Sequence, residues 1–279
     1  MSFREADKSV AGLEKAYEKE LTMAYQATLK DINAKLKDVY AKYGEDGKLS
    51  WETMSKADRN KVTRLQKVIA EVNQDLNALN RGRPQQLAGM LTDAYEVNFD
   101  VPREYVKAKV GATFDGINRA QVFQSAISEM GKIGLEQNAF AVRMAIRRDI
   151  TTSIVQGDGI REMSAKIKKS LEGNANDTVR IARTETTRIV NEARQNAFTA
   201  AEGLGIVMRK MWLATSDGRT RPSHKALNGQ EVDSDKTFSN GLLHPGQDGA
   251  PASEVVNCRC TMVSRVVSID GTPIDELLN

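Results

Sequence analysis

From Val10 to Tyr43, apolar side chains recur in steps of three and four: Val10, Leu13, Tyr17, Leu21, Tyr25, Leu29, Ile32, Leu36, Val39 and Tyr43. Such steps keep side chains on one face of a 3.6-residue helix, so residues 4–43 are predicted to form one long helix. A helix of that length with one apolar stripe has to be covered by other helices. "YGEDGKLS" breaks the pattern with two glycines, and a second stripe follows at Val62, Leu65, Val68, Ile69, Val72, Leu76 and Leu79. The pair predicts an αα-hairpin whose stripes pack on each other. A coiled coil offered to a partner is the alternative.

"RGRP" at 81–84 ends the hairpin, and shorter helices are predicted near 84–98, 103–110, 117–130 and 134–156. "QGDG" at 156–159 is a break. A helix then spans 159–172, and another runs from Asp177 to about Glu202, with the Asp177 carboxylate capping its first turn. Past "EGLG" the period changes from helical to alternating. "IVMRKMWLATSDGRTR" and "VVNCRCTMVSRVVSI" read as strands, and Asn228-Gly229 signals a tight hairpin. The fold class is therefore α+β: a mostly helical body with a long N-terminal helical hairpin and a small C-terminal α+β or β-rich module. The expected regions are 1–100, 101–204 and 205–279.

Several function classes are set aside by what is missing. The net charge of +3 is too small to announce nucleic-acid binding, so any basic surface must be local. No apolar leader opens the chain, and no stretch approaches the roughly 18 apolar residues of a membrane helix. The two cysteines, one residue apart, do not make a disulfide framework, which points to assembly in a reducing cytoplasm. There is no Gly-rich phosphate loop, no Gly-x-Ser-x-Gly elbow and no His-Glu-x-x-His, so a role other than an enzyme's is expected.

Three constellations remain. His224, His244, Cys258 and Cys260 are all the histidines and cysteines of the chain, and all fall in its last quarter. On a strand the two cysteines would share a face, and two imidazoles would complete a tetrahedral S2N2 set suited to zinc. The competing view is two buried, reduced cysteines with unrelated histidines. "SDGRTRPSHKALNG" gathers Asp217, Arg219, Arg221, His224 and Lys225. Its arginine forks suit phosphate or carboxylate. Alternatively Asp217 and Arg219 lock a turn while Arg221 pairs with Glu231 or Asp233. A hydrolase would want Asp217 or Glu254 beside a metal-bound water. In "NDTVRIARTETTRIVNEARQNAF", Arg180, Arg183, Thr187, Asn191 and Arg194 share one helical face, opposite Val179, Ala182, Ile189, Ala193 and Ala197. That face could meet DNA phosphates, or stand in solvent paired internally with Glu185 and Glu192.

The order of these motifs resembles the phage Mu F-like minor head protein family. Arg183-Thr184-Glu185 on a helix is followed by Asp217, Arg219, Thr220, Arg221, His224 and Gly229, then Pro245, then Asn257-Cys258-Arg259-Cys260. The likeness covers roughly 117–265 and assigns nothing to the first hundred residues. It implies a minor capsid protein of a tailed phage, with Thr184, Glu185, Asp217, Asn257 and Arg259 as motif residues. It implies association with the portal protein inside the prohead, beside scaffold or major capsid protein. Contact with packaged double-stranded DNA is also implied, with residence in the virion after assembly in the host cytoplasm. Metal ligation rests on the residues and not on the family. A metal-dependent nuclease or hydrolase built on the His/Cys cluster is the alternative function.

Overall fold

The computed structural model describes residues 1–44, 46, 48–49 and 59–267, and the side chains of Tyr43 and of 59–65 lie outside that description, as do the stripe positions Val62 and Leu65. Helix α1 spans Phe3–Tyr43 and starts on a capping box. The Glu5 amide donates to Ser2 Oγ, and the Ser2 amide donates back to Glu5 Oε2 at 2.7 Å. Its stripe is buried as the periodicity predicts, at Val10, Tyr17, Leu21, Tyr25, Ile32, Leu36 and Val39. Helix α2, Arg59–Arg81, is tied to α1 by an ion pair between Lys35 and Asp75. The turn expected between these helices falls mostly outside the described residues.

Two predicted breaks are absent. Helix α3 runs unbroken through Arg83–Val110 with Pro102 inside it. Pro102 removes one helical hydrogen bond, yet Phe99, Val101, Tyr105 and Val106 are buried around it, and that packing keeps the helix continuous. Helix α6 runs through Ile160–Glu202, so Asp177 is an interior residue and caps nothing. The misleading "GNAND" holds a polar contact instead of a turn. Asn174 Nδ2 donates to the Asn138 carbonyl at 2.8 Å, and Asn138 Nδ2 donates back to the Asn174 carbonyl at 3.0 Å. Between α3 and α6 lie α4, Arg119–Ser125, and α5, Glu129–Gln156, with a break at 126–128 where one helix was expected.

The chain divides into two compact units, and neither is a continuous stretch. The consecutive regions 1–100, 101–204 and 205–279 therefore do not coincide with them, because α1 and α6 each contribute to both. One unit holds Glu18–Gln85 and Lys132–Val179. Its core is aliphatic, with Leu36, Val72, Leu76, Val142, Ile146, Ile150, Met163 and Ile167 buried. A polar strip crosses it: Arg83 lies 4.5 Å over the Tyr25 ring and donates to Thr178 Oγ1 at 3.2 Å, while Tyr25 donates to Asn174.

The other unit holds Met1–Tyr17, Gln86–Gly131 and Arg180–Asn279. Its sheet is antiparallel, in the order β2-β1-β3, with β1 at Met208–Leu213, β2 at Glu231–Asp233 and β3 at Thr261–Val266. Short helices α7, Pro222–Ala226, and α8, Ala252–Val255, interrupt the connections. Asn228-Gly229 is thus the end of a longer β1–β2 connection rather than a two-residue hairpin. Gly229, at φ +81, donates its amide to the Trp212 carbonyl. The α+β class, mostly helical with a small C-terminal sheet, is as expected.

Candidate metal centre and arginine-lined cleft

The cysteines are not on a strand. They precede β3, and Asn257 turns the chain there in the left-handed region, φ 55, a conformation asparagine tolerates better than most residues. The backbone of this turn is held from several sides. Thr187 donates to the Cys258 carbonyl, Asn191 Nδ2 to the Cys260 carbonyl at 3.1 Å, and Thr215 to the Arg259 carbonyl at 2.7 Å. The Asn257 amide donates to Thr184 Oγ1 at 3.1 Å, and Arg221 donates to the Val256 carbonyl. Thr184, Thr187 and Asn191 follow one another on α6 in steps of three and four. The face read as a possible DNA surface therefore grips the cysteine turn along much of its length.

On the other side of the turn, Pro222 starts α7, which carries His224. His224 Nδ1 lies 3.5 Å from Cys258 Sγ and 3.4 Å from Cys260 Sγ. Its Nε2 lies 2.9 Å from Glu254 Oε2 on α8. With Nε2 donating to the Glu254 carboxylate, a neutral imidazole turns its Nδ1 lone pair toward the two sulfurs. All three donor residues are buried, and one ligand atom from each lies within 4.8 Å of the others. Trp212, Leu227, Phe238 and Leu242 enclose them, with the Trp212 ring edge-on to the imidazole at 5.4 Å. The hydrogen bond between the thiols, with burial, holds Cys258 above the ordinary thiol range, and the same bond draws Cys260 below it.

His244 is not in this group. It is buried with Nδ1 donating to the Pro245 carbonyl at 3.1 Å, and burial pushes its imidazole down to about 4. Lys210 is buried beside it in a face that alternation alone would make apolar. Its ammonium donates to Gln195 Oε1 at 2.9 Å and to the Leu243 carbonyl at 2.8 Å, and burial lowers it to about 8. Of the four residues expected to ligate, the structure gathers His224, Cys258 and Cys260. Glu254, considered in the sequence only as a partner for a metal-bound water, contacts the imidazole instead.

The other motif residues brace this unit. Buried Glu185 accepts from the Ser128 amide at 2.9 Å, from Ser128 Oγ at 2.7 Å and from Arg188 Nε at 3.0 Å. Asp217 accepts from both Arg259 Nη atoms and from the Arg219 amide at 2.9 Å, which holds its carboxyl well below the usual range. Arg221 is not paired with Glu231, which takes Arg265 at 2.6 Å. Arg188 and Ser128 were missed because a buried ion pair leaves no periodic signature.

Of the five arginines expected to face DNA, Arg194 is withdrawn: it is fully buried. Arg183, Arg219 and Arg221 converge with Arg259 on a cleft of roughly 950 Å³, whose wall also carries Asp7 and Glu14 from α1. Arg219 is open, its side chain 79% exposed. Arg180 lies apart, on a smaller groove with Glu185 and the 246–250 loop. Among the described residues no helix is long and apolar enough to cross a membrane.

Residues 144–263, from within α5 into β3, match the model for phage Mu protein F-like proteins. The likeness to that family lies in this segment. The segment contains the cluster, the gripping face of α6 and Arg180, Arg183, Arg194, Arg219, Arg221 and Arg259. The chain is 26% identical over 272 residues to the minor head protein GP7 of Bacillus phage SPP1, covering 93% of this chain and 85% of that protein. It is also 29% identical over 275 residues to the NAD(+)–arginine ADP-ribosyltransferase EFV of Enterococcus faecalis, covering 94% of this chain. The chain spans about half of that relative, 55% of its length. No solved structure matches the chain.

Proposed function

We propose that this chain is a minor head protein of a tailed phage, a structural component of head morphogenesis and not an enzyme. The observation that carries the reading is its alignment along 85% of a named minor head protein. In this reading it joins the portal protein inside the prohead, against scaffold or major capsid protein. The arginine-lined cleft meets phosphates of packaged double-stranded DNA, where charge neutralisation releases counterions. The test is quantitative mass spectrometry of purified proheads and virions. Peptides of this chain at a few copies per head, tracking the portal, are expected; absence from both particles overturns the proposal.

The transferase relative raises a second reading, ADP-ribosyl transfer to arginine. The same stretch of this chain aligns along 85% of the head protein but only 55% of the transferase. Nearly half of the transferase thus lies outside the shared part, with room there for its activity. Incubation with labelled NAD and an arginine-rich acceptor protein is expected to leave the acceptor unlabelled, and labelling would favour the enzyme.

A further inference from the structure

We infer that His224, Cys258 and Cys260 bind one zinc ion, with Glu254 orienting the imidazole and His244 taking no part. The inference does not depend on the head-protein reading. Zinc bonds of about 2.3 Å to sulfur and 2.0–2.1 Å to nitrogen give a tetrahedral S···N edge of about 3.5 Å. The Nδ1 to Sγ distances are 3.5 and 3.4 Å, so both nitrogen–sulfur edges already have the tetrahedral length, and the two sulfurs lie within 4.8 Å of each other. The His224–Glu254 contact at 2.9 Å is the outer-shell pairing that fixes a ligating imidazole's tautomer and raises its basicity.

Charge favours the same ion. Two thiolates and a neutral imidazole around a divalent cation sum to zero, so the assembly suits a pocket walled by Trp212, Leu227, Phe238 and Leu242. Thiolate and imidazole select zinc over magnesium or calcium, which take oxygen donors. The donors are also held in place before any ion arrives, since side chains of α6 and of the β1–α7 loop grip the carbonyls of Cys258, Arg259 and Cys260. The ion fastens α7 to the segment that enters β3, across the buried face of β1. A water or another exogenous donor takes the fourth vertex.

The experiment uses the full chain purified under reducing conditions. Elemental analysis is expected to find close to one zinc per chain. Cobalt substitution is expected to give thiolate-to-metal charge transfer and tetrahedral d–d bands. Cys258→Ser, Cys260→Ser and His224→Ala each lose the ion, while His244→Gln keeps it at full stoichiometry. Glu254→Gln keeps the stoichiometry with affinity weakened on the order of 10–100-fold. Where a ligand variant does not fold, the cobalt spectrum of the unaltered chain decides. Metal-free protein with no sulfur charge-transfer band on adding cobalt overturns the site. So does a Cys258–Cys260 disulfide in protein never exposed to oxidant. Loss of the ion from the His244→Gln variant overturns the ligand set.

Discussion

Asn98 Oδ1 accepts two hydrogen bonds from Arg194, from Nε at 2.9 Å and from Nη2 at 2.7 Å. Arg194 also donates to the Met262 carbonyl at 2.8 Å, to Thr261 and to Asp7, and its guanidinium lies 4.9 Å over the Phe3 ring. One side chain thus ties α1, α3, α6 and β3 together. A buried guanidinium is tolerable only when its fork is satisfied, and here every nitrogen has a partner. Arg194→Leu leaves Asn98 and the Met262 carbonyl unsatisfied, and is expected to cost about 3–5 kcal/mol in urea unfolding. Arg194→Lys does not restore the loss, because an ammonium cannot reproduce the planar fork. Unchanged stability in both variants refutes this role.

Gly246 follows the His-Pro pair and lies against α6. Its φ is +75, and a Cβ there would sit 3.0 Å from the Arg188 amide nitrogen and 3.1 Å from its Cα. Backbone cannot move aside as a flexible side chain can, and a left-handed φ is itself unfavourable with a Cβ. Gly246→Ala is expected to destabilise by roughly 2 kcal/mol or more. Gly249→Ala has the same φ of +75 but nothing within 4 Å, so it loses only the conformational part. Thermal unfolding of the two variants side by side checks the difference, and equal losses would remove the close approach as the cause.

What the sequence showed and hid follows from the period of each signal. The α1 stripe repeats over ten side chains, of which seven are buried and Leu13 and Leu29 half-buried. The "GNAND" segment failed because asparagine and glycine look like a break until a partner is known, and that partner, Asn138, lies 36 residues away. The face of α6 with Thr187 and Asn191 was seen as a face, but a sequence cannot say what covers it. The cysteine pair and His224 were visible as chemistry by residue type. Excluding His244 and placing Glu254 on the imidazole required coordinates, because loop spacing does not fix which side chains meet.

Burial holds the His244 imidazole down to about 4, helped by the charges of Lys210 and Arg188 and opposed by the Pro245 carbonyl. The unfolded chain has an ordinary histidine near pH 6.5, so between about 6.5 and 4 it binds a proton that the folded protein does not. Stability from this group is therefore complete above about pH 6.5 and is lost as the pH falls towards 4, by up to roughly 3 kcal/mol. Urea unfolding of metal-stripped protein at pH 7.5, 5.5 and 4.5 measures the slope. His244→Gln is expected to flatten it relative to the unaltered chain. Parallel slopes would show that another group titrates.

The arginine-lined cleft makes a prediction that Arg194 sharpens. If phosphates enter between Arg183 and Arg219, each substitution to alanine weakens binding to duplex DNA of any sequence. Each also lowers the slope of log affinity against log salt by about 0.9 for every phosphate left without its arginine. Arg194 shares the helical face of Arg183 in projection yet has no exposed surface, so Arg194→Lys in protein that remains folded is expected to leave the slope unchanged. Arg180→Ala, on the separate groove, is expected to behave likewise. Measuring the four variants by fluorescence anisotropy across a salt series separates a local cleft from diffuse attraction to a weakly basic chain. Equal slope changes in Arg180→Ala and Arg183→Ala would mean that the cleft has no special part in DNA contact.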